Sequence, residues 1–199
     1  MTADDGYGVL LPGTALSLSP ILFLSNLTSY CTRPLRVGES VPLEGTNLTP
    51  RFPELSPVAE LFASRRALVD GEIVALVDGV PDFGALQGRK TPVIYVAFDL
   101  LAIDGENLID RPLRERHELL AELIPSDSAR LVRSRPFPSP TALYAEAVAH
   151  NLEGIIMKDD ESPYVFGPKR TRHWLKVKTP EGLRQQKIRG ETWGHKARG

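Results

Sequence analysis

Four short stretches of this chain carry side chains of the kinds that handle phosphates. They are Asp70-Gly-Glu-Ile-Val-Ala-Leu76, Tyr95-Val-Ala-Phe-Asp-Leu-Leu101, Glu153-Gly-Ile-Ile-Met-Lys158 and Trp174-Leu-Lys-Val-Lys178. Glu72 and Glu153 are carboxylates beside strand-like runs, and a hard divalent cation such as Mg2+ or Mn2+ takes oxygen ligands of this type. Lys176 and Lys178 stand two apart on a strand-like run and so share a face. From there two ammonium groups can neutralise a phosphate. Phe98 offers a ring for a base to stack on, worth about 1–3 kcal/mol where measured in nucleic-acid complexes. Carboxylate pair, ring and lysine pair together suit a nucleotide site for phosphoryl chemistry, where catalysis is mostly positioning and charge neutralisation. Each stretch also has a plainer reading. Asp70-Gly71 is a common tight-turn pair, which leaves Glu72 an exposed strand residue. Phe98 lies in an apolar run and suits a core. Glu153-Gly154 follows a helical stretch and suits its stop, and lysines on a strand edge discourage aggregation.

The elements that must hold these residues are signalled locally. Ser56-Pro57 supplies an N-cap and a proline at the first helical position, predicting a short helix to about Arg65. The β-rich run 67–77 ends at Asp78-Gly79, a turn pair. The continuous apolar run 93–103 has the length of a buried strand and ends at Asp104-Gly105. Asp110 and Pro112 open a helix to about Ile124, with Leu113, Leu120 and Ile124 on one apolar face beside Leu119 and Leu123. Ser139-Pro140 opens another helix, bearing Leu143, Ala147 and His150. Residues 154–158 and 174–178 read as strands bracketing a loop, 162–172. Helices alternating with strands, several bounded by Asp-Gly pairs, point to a mixed α/β or α+β domain.

Composition sets the limits. The 199 residues are 42% hydrophobic and 25% charged, which excludes disorder of the whole chain. Sixteen glycines and 17 prolines imply frequent turns. The lone Cys31 has no internal disulfide partner and reads as a small buried hydrophobe. Pro20, Asn26 and several Ser/Thr interrupt the most apolar stretch, 16–27, well short of the roughly 18–20 apolar residues of a membrane span. The acidic start, Met1-Thr-Ala-Asp-Asp5, is unlike a secretory signal, so a soluble, cytoplasmic protein is expected. Net charge is −1, yet residues 169–199 carry ten Lys/Arg against Glu181 and Glu191. A basic stretch beside an acidic body suits either a phosphate-binding surface or a solvated tail.

In their order and spacing the motifs closely resemble the nucleotidyltransferase (adenylation) domain of ATP-dependent DNA ligases, especially the bacterial end-joining type. Glu72, Phe98, Glu153 and Lys176 follow one another at intervals of 26, 55 and 23 residues. Arg51-Phe-Pro-Glu-Leu55, Arg111-Pro-Leu-Arg-Glu-Arg116 and Ser162-Pro-Tyr164 add to the match, which covers 51–178. The resemblance implies an α+β, ATP-grasp-like fold shared with mRNA-capping enzymes, with antiparallel sheets flanked by helices and incomplete at its N-terminus. It implies that Glu72 lies at the ribose and metal side of ATP and that Phe98 stacks on adenine. Glu153 would hold the metal, Mg2+ or Mn2+, near the α-phosphate, which Lys176 and Lys178 would contact. The implied partners are ATP and nicked double-stranded DNA, with a repair protein as a possible associate, no membrane, and a monomeric chain. The implied activity is sealing of nicks through adenylate transfer in DNA repair or recombination.

Three family features have no counterpart in this chain. The family's first step is attack on the ATP α-phosphate by a lysine of a Lys-x-Asp-Gly-x-Arg motif ahead of the DGE stretch, giving lysyl-AMP. Here the first lysine is Lys90. Ala3-Asp-Asp-Gly-Tyr-Gly8 resembles that motif with alanine in the nucleophile's place, and alanine has no nucleophilic atom. Alternatively, residues 1–50 are unrelated sequence joined to a partial domain by a shifted frame or a misplaced start. The Arg-x-Gly element expected before Arg51 is replaced by Glu44-Gly45-Thr46-Asn47. The residues after Lys178 are too few for an OB-fold. The expected organisation is therefore a divergent or poorly ordered segment 1–50, a partial adenylation domain 51–180 and a basic tail 181–199, without an OB-fold domain. First-step chemistry is expected to be impaired. The alternative is a non-catalytic nucleotide- or DNA-binding remnant of a ligase.

Overall fold

The computed structural model describes residues 18–23, 30–32, 41–42, 50–62, 65–88, 91–165 and 173–187. The expectations for Ala3–Gly8, for Glu44–Asn47, for residues 188–199 and for the side chain of Cys31 lie outside what is described. The chain divides into two compact units. One draws on residues 26–135 and 160–170 and the other on 10–25, 136–159 and 171–199.

The first unit is organised on two eleven-residue antiparallel strands, β4 (Ala67–Val77) and β6 (Val93–Ile103). Its sheet runs β3 (Val41–Pro42), β2 (Tyr30–Thr32), β4, β6, β7 (Glu106–Asn107), while β5 (Val80–Pro81) pairs with β4 and β8 (Leu131–Arg133) with β6. All pairings are antiparallel except β6–β8. The continuous apolar run of β6 alternates once folded. Val93, Tyr95 and Ala97 are buried, whereas Ile94, Val96 and Phe98 are half-buried.

Of the three Asp-Gly pairs here, two make the expected hairpin turns. Asp78 and Gly79 have φ of 51° and 77°, and Asp104 and Gly105 have φ of 50° and 94°, the positive values such two-residue turns demand. Asp70-Gly71 is no turn and lies mid-strand in β4. A Cβ on Gly71 would come within 2.5 Å of Tyr95 Cζ and of the Val96 carbonyl oxygen. The glycine is there to let the Tyr95 ring lie against the strand, and the Tyr95 hydroxyl donates to the Val69 carbonyl at 3.1 Å.

The predicted 56–65 helix is a 3-10 helix, Pro53–Phe62, starting earlier and containing Pro57, whose ring nitrogen cannot donate to an α-helical ladder. The short α1 (Phe83–Gly88) packs on β4, and α2 (Leu113–Leu123) packs on β6. Ile73, Leu100, Leu108, Leu120 and Leu131 fill the fully buried core.

The second unit is a three-stranded antiparallel sheet, ordered β1 (Leu18–Phe23), β9 (Gly154–Asp159), β10 (Trp174–Lys178), with α3 (Pro140–Ala149) packed on β9 and β1. The Ser139 hydroxyl accepts from the Ala142 amide at 3.2 Å with Pro140 next in line, the start the sequence signals. Asn151, at φ 53°, turns the chain out of α3, so Gly154 is a strand residue and not the helix stop. Strand β1 carries Pro20 and no alternation. It is placed by pairing with β9 as an edge strand, where proline is tolerated. Residues 180–187, in the stretch expected as a tail, form a further helix, α4. No helix among the described residues is long and apolar enough to cross a membrane.

Candidate active-site residues

In the first unit the charged residues of the motifs are gripped by one another. Asp99 and Arg116 are both fully buried and form a two-pronged pair, Nε to Oδ1 at 2.8 Å and Nη2 to Oδ2 at 3.0 Å. The same guanidinium donates to the Ser162 carbonyl at 3.0 Å and to the Arg111 carbonyl, and it lies 5.9 Å from the centre of the Tyr164 ring. Asp70, also fully buried, accepts from the Tyr164 hydroxyl at 2.6 Å. The stretches DGEIVAL, YVAFDLL, RPLRER and SPY are thus tied into one polar core. Burial of such groups is tolerated only with this degree of pairing, because the desolvation of an isolated charge is large.

Phe98 is the chain neighbour of Asp99 in this network. Gly71 faces Ala97 and Asp70 faces Asp99, so adjacent residues of β4 oppose residues two apart on β6, and Phe98 is the extra residue of a β-bulge. Bulges re-aim side chains. His117 Nε2 lies 3.0 Å from the Phe98 carbonyl oxygen, and since a carbonyl only accepts, the ring nitrogen donates. Glu72, next after Gly71, pairs with Val96 across the strands. The structure therefore brings Glu72 and Phe98 to neighbouring positions on β4 and β6, both half-buried. Neither plainer reading holds for them: Glu72 is not an exposed residue beside a turn, and Phe98 is not fully in the core.

In the second unit Glu153 is clamped from several sides. Its side chain is 5% exposed, and Lys178 Nζ donates to its Oε1 at 3.2 Å. Its carbonyl accepts from the Thr179 amide at 3.0 Å and from the Thr179 hydroxyl at 3.2 Å. That hydroxyl in turn accepts from the Gly182 amide at 3.1 Å. A Cβ on Gly182 would lie 2.0 Å from the Glu153 carbonyl oxygen, and one on Gly154 2.3 Å from that of Val177. Only glycine fits at either place.

Lys176 and Lys178 alternate on β10 opposite Ile156 and Gly154 of β9, with Lys176 exposed and Lys178 half-buried. Trp174 precedes them on the same face, opposite Lys158. Lys158 is almost completely buried, with its ammonium 4.3 Å from the centre of the Trp174 ring. That is cation–π distance. The structure brings Glu153 and Lys178 into direct contact, with Lys176 two residues along the same strand.

Reading the sequence missed Asp70, Asp99, Arg116, His117, Tyr164, Lys158, Thr179 and Gly182 as supports. One signal was available. Arg116 interrupts the buried stripe of α2 between Leu113 and Leu120, and a charge on an apolar face implies a buried partner. Among the described residues no three or more His, Cys, Asp or Glu gather as a cation cage. A hard cation held by one or two carboxylates and by phosphate oxygens requires none.

Comparison with known proteins places this chain in a family. The ATP dependent DNA ligase domain family matches residues 44–178, a span that holds all five candidates. A probable DNA ligase of Streptomyces avermitilis is 35% identical over 167 residues, covering 75% of this chain and 32% of that protein. The multifunctional non-homologous end joining DNA repair protein LigD of Mycobacterium tuberculosis is 36% identical over 137 residues, 67% of this chain and 18% of that protein. The crystal structure of the ligase domain of M. tuberculosis LigD superposes with a TM-score of 0.69 at 28% identity, covering 81% of this chain and 53% of that one. A mycobacterial DNA ligase D complexed with ATP and MES gives 0.67, also at 28% identity, over 81% of this chain and 54% of that one. The chain thus spans about a third or less of the length of these curated relatives.

Proposed function

The chain belongs to the ATP-dependent DNA ligase family, and from that premise we propose that it binds ATP with its adenylation-domain residues and acts on nicked double-stranded DNA in repair. In this reading Phe98 stacks on the adenine and Glu72 meets the ribose. Lys176 and Lys178 neutralise the α-phosphate, and Glu153 fixes Lys178 through their ion pair. The observation that carries it is that all five residues fall inside the matched span, 44–178. Glu72 and Glu153 would hold Mg2+ or Mn2+, which supplies charge neutralisation at the phosphates.

The role of the lysines follows from electrostatics. An ammonium on an exposed strand face is in water and contributes little until a ligand excludes that water. Lys178, half-buried and paired with Glu153, keeps a defined position at the edge of that environment. Lys176 stands one alternation further along, so two positive charges address one phosphate from a rigid β-strand.

A second reading is favoured by one specific observation, the absence of any lysine before Lys90. Within these 199 residues no ammonium nucleophile precedes Glu72, so we expect no lysyl-AMP to form on this polypeptide. Sealing of a nick that already carries adenylate needs positioning and a metal but no such lysine, and is the activity this chain could retain. The alternative is a nucleotide- or DNA-binding protein without catalysis. Two assays decide. Incubation with α-labelled ATP is expected to leave the protein unlabelled, and covalent label would overturn the first-step claim. Pre-adenylated nicked DNA with Mg2+ or Mn2+ is expected to be sealed; failure to seal it while ATP still binds would leave the binding role alone.

A further inference from the structure

Two consecutive residues of α2 reach the β6 bulge. Arg116 takes Asp99 in its fork, and His117 donates from Nε2 to the carbonyl of Phe98. A bulge leaves one residue outside the regular ladder, and at this one α2 supplies a hydrogen bond to its peptide carbonyl. The helix is itself fixed, with Leu113 and Leu120 buried on either side of Arg116 and with the guanidinium bound to two further carbonyls, those of Arg111 and Ser162.

We propose that His117 is a positioning residue for the nucleobase platform: its hydrogen bond to the Phe98 carbonyl fixes the bulge, and so the presentation of the ring, without touching the nucleotide. The inference rests on the reading of Phe98 as the platform. The geometry divides the labour on α2. Arg116 is the deeply buried member, whose loss would disturb the whole unit. His117 is half-buried and donates to the backbone carbonyl of the bulge residue itself, so its effect is read at the bulge. A tilt of the ring changes stacking on the base but leaves groups that read the phosphates alone.

The test uses the 199-residue chain and three variants, His117→Leu, His117→Gln and Phe98→Leu. ATP and inorganic tripolyphosphate serve as ligands, and amide hydrogen exchange at residues 97–99 is followed without ligand. H117L is expected to weaken ATP roughly five- to tenfold, the effect of one lost hydrogen bond. Tripolyphosphate affinity and the unfolding midpoint stay at the wild-type values. H117Q, which keeps a side-chain donor, is expected to return ATP affinity to within about twofold. Exchange at the bulge is expected to quicken by about tenfold in H117L and not elsewhere on β6. Unchanged exchange at the bulge overturns the proposal whatever happens to ATP. So does a parallel loss of ATP and tripolyphosphate binding, which would mark a general defect. F98L keeping full ATP affinity would instead overturn the platform reading itself, and with it the functional half of the inference. F98L weakened beside an unaffected H117L would overturn the role of His117 alone.

Discussion

The sealed charges of the first unit and the boundary charges of the second are treated in opposite ways. In the first, Asp70, Asp99 and Arg116 are sealed in the interior and bound to Tyr164, to backbone carbonyls and to each other. In the second, a buried carboxylate, Glu153, reaches a half-buried Lys178, and Lys176 stands exposed two residues away. Sealed charges can only hold structure. Charges at a boundary can also meet a ligand, because a phosphate can compete for them. The difference predicts that substitutions of the sealed charges are read in stability and those of the boundary charges in binding.

The largest effect belongs to the sealed pair. Asp99→Asn or Arg116→Met strips the partner from a fully buried ion, which should cost about 3–5 kcal/mol in denaturant unfolding. A loss near zero would break the contrast. Next come the glycines at close approaches. Gly71→Ala and Gly154→Ala place a methyl 2.5 Å and 2.3 Å from a backbone oxygen, and rigid backbone cannot give way as a side-chain tip can. Each should cost roughly 1–3 kcal/mol, whereas alanine at Gly79, where nothing lies within 4 Å, would be felt only through its positive φ.

Substitutions at the boundary should invert that pattern. Lys176→Ala is expected to leave the unfolding midpoint unchanged while weakening ATP about tenfold or more, as loss of a charge-assisted phosphate contact does. A stability loss without a binding loss would place Lys176 with the sealed charges. The smallest effect is on pH dependence. Glu181, at the start of α4, accepts from Arg184 at 2.7 Å and from Gln185 at 2.8 Å. The Arg184 hydrogen bonds chiefly, with that of Gln185, bring its carboxyl down from 4.5 to about 2. A carboxyl lowered on folding stabilises the fold fully above its unfolded value and loses that contribution as pH falls towards about 2. An NMR titration of Glu181 should show the low midpoint, and Arg184→Gln should move it up.

The same contrast separates what could be read in the sequence from what could not. Strands β4, β6, β9 and β10 and helices α2 and α3 announce themselves through apolar runs, turn pairs and the Ser139-Pro140 start, all local signals. The three Asp-Gly pairs among the described residues mark the limit. They are identical as dipeptides, yet only two turn, and the third stays extended because the Tyr95 ring, from another strand, occupies the place of its Cβ. Strand β1 was illegible for the same reason, being defined by its pairing with β9 and by no pattern of its own.

Candidate residues were legible as chemical types at family spacing. Their supports were not. Asp70 and Tyr164 meet across 94 residues, and Arg116 reads as an ordinary charged helix residue until Asp99 is seen beneath it. Helix α4, within a basic stretch that resembles a tail, becomes necessary only once Gly182 is seen packed on Glu153.

The central claim is that Phe98 and Lys176 are both ATP-binding residues. Calorimetric titration of ATP into the wild-type chain, Phe98→Leu and Lys176→Ala tests it most directly. The account predicts that ATP binding is weakened by either substitution. Wild-type affinity in either variant would contradict it.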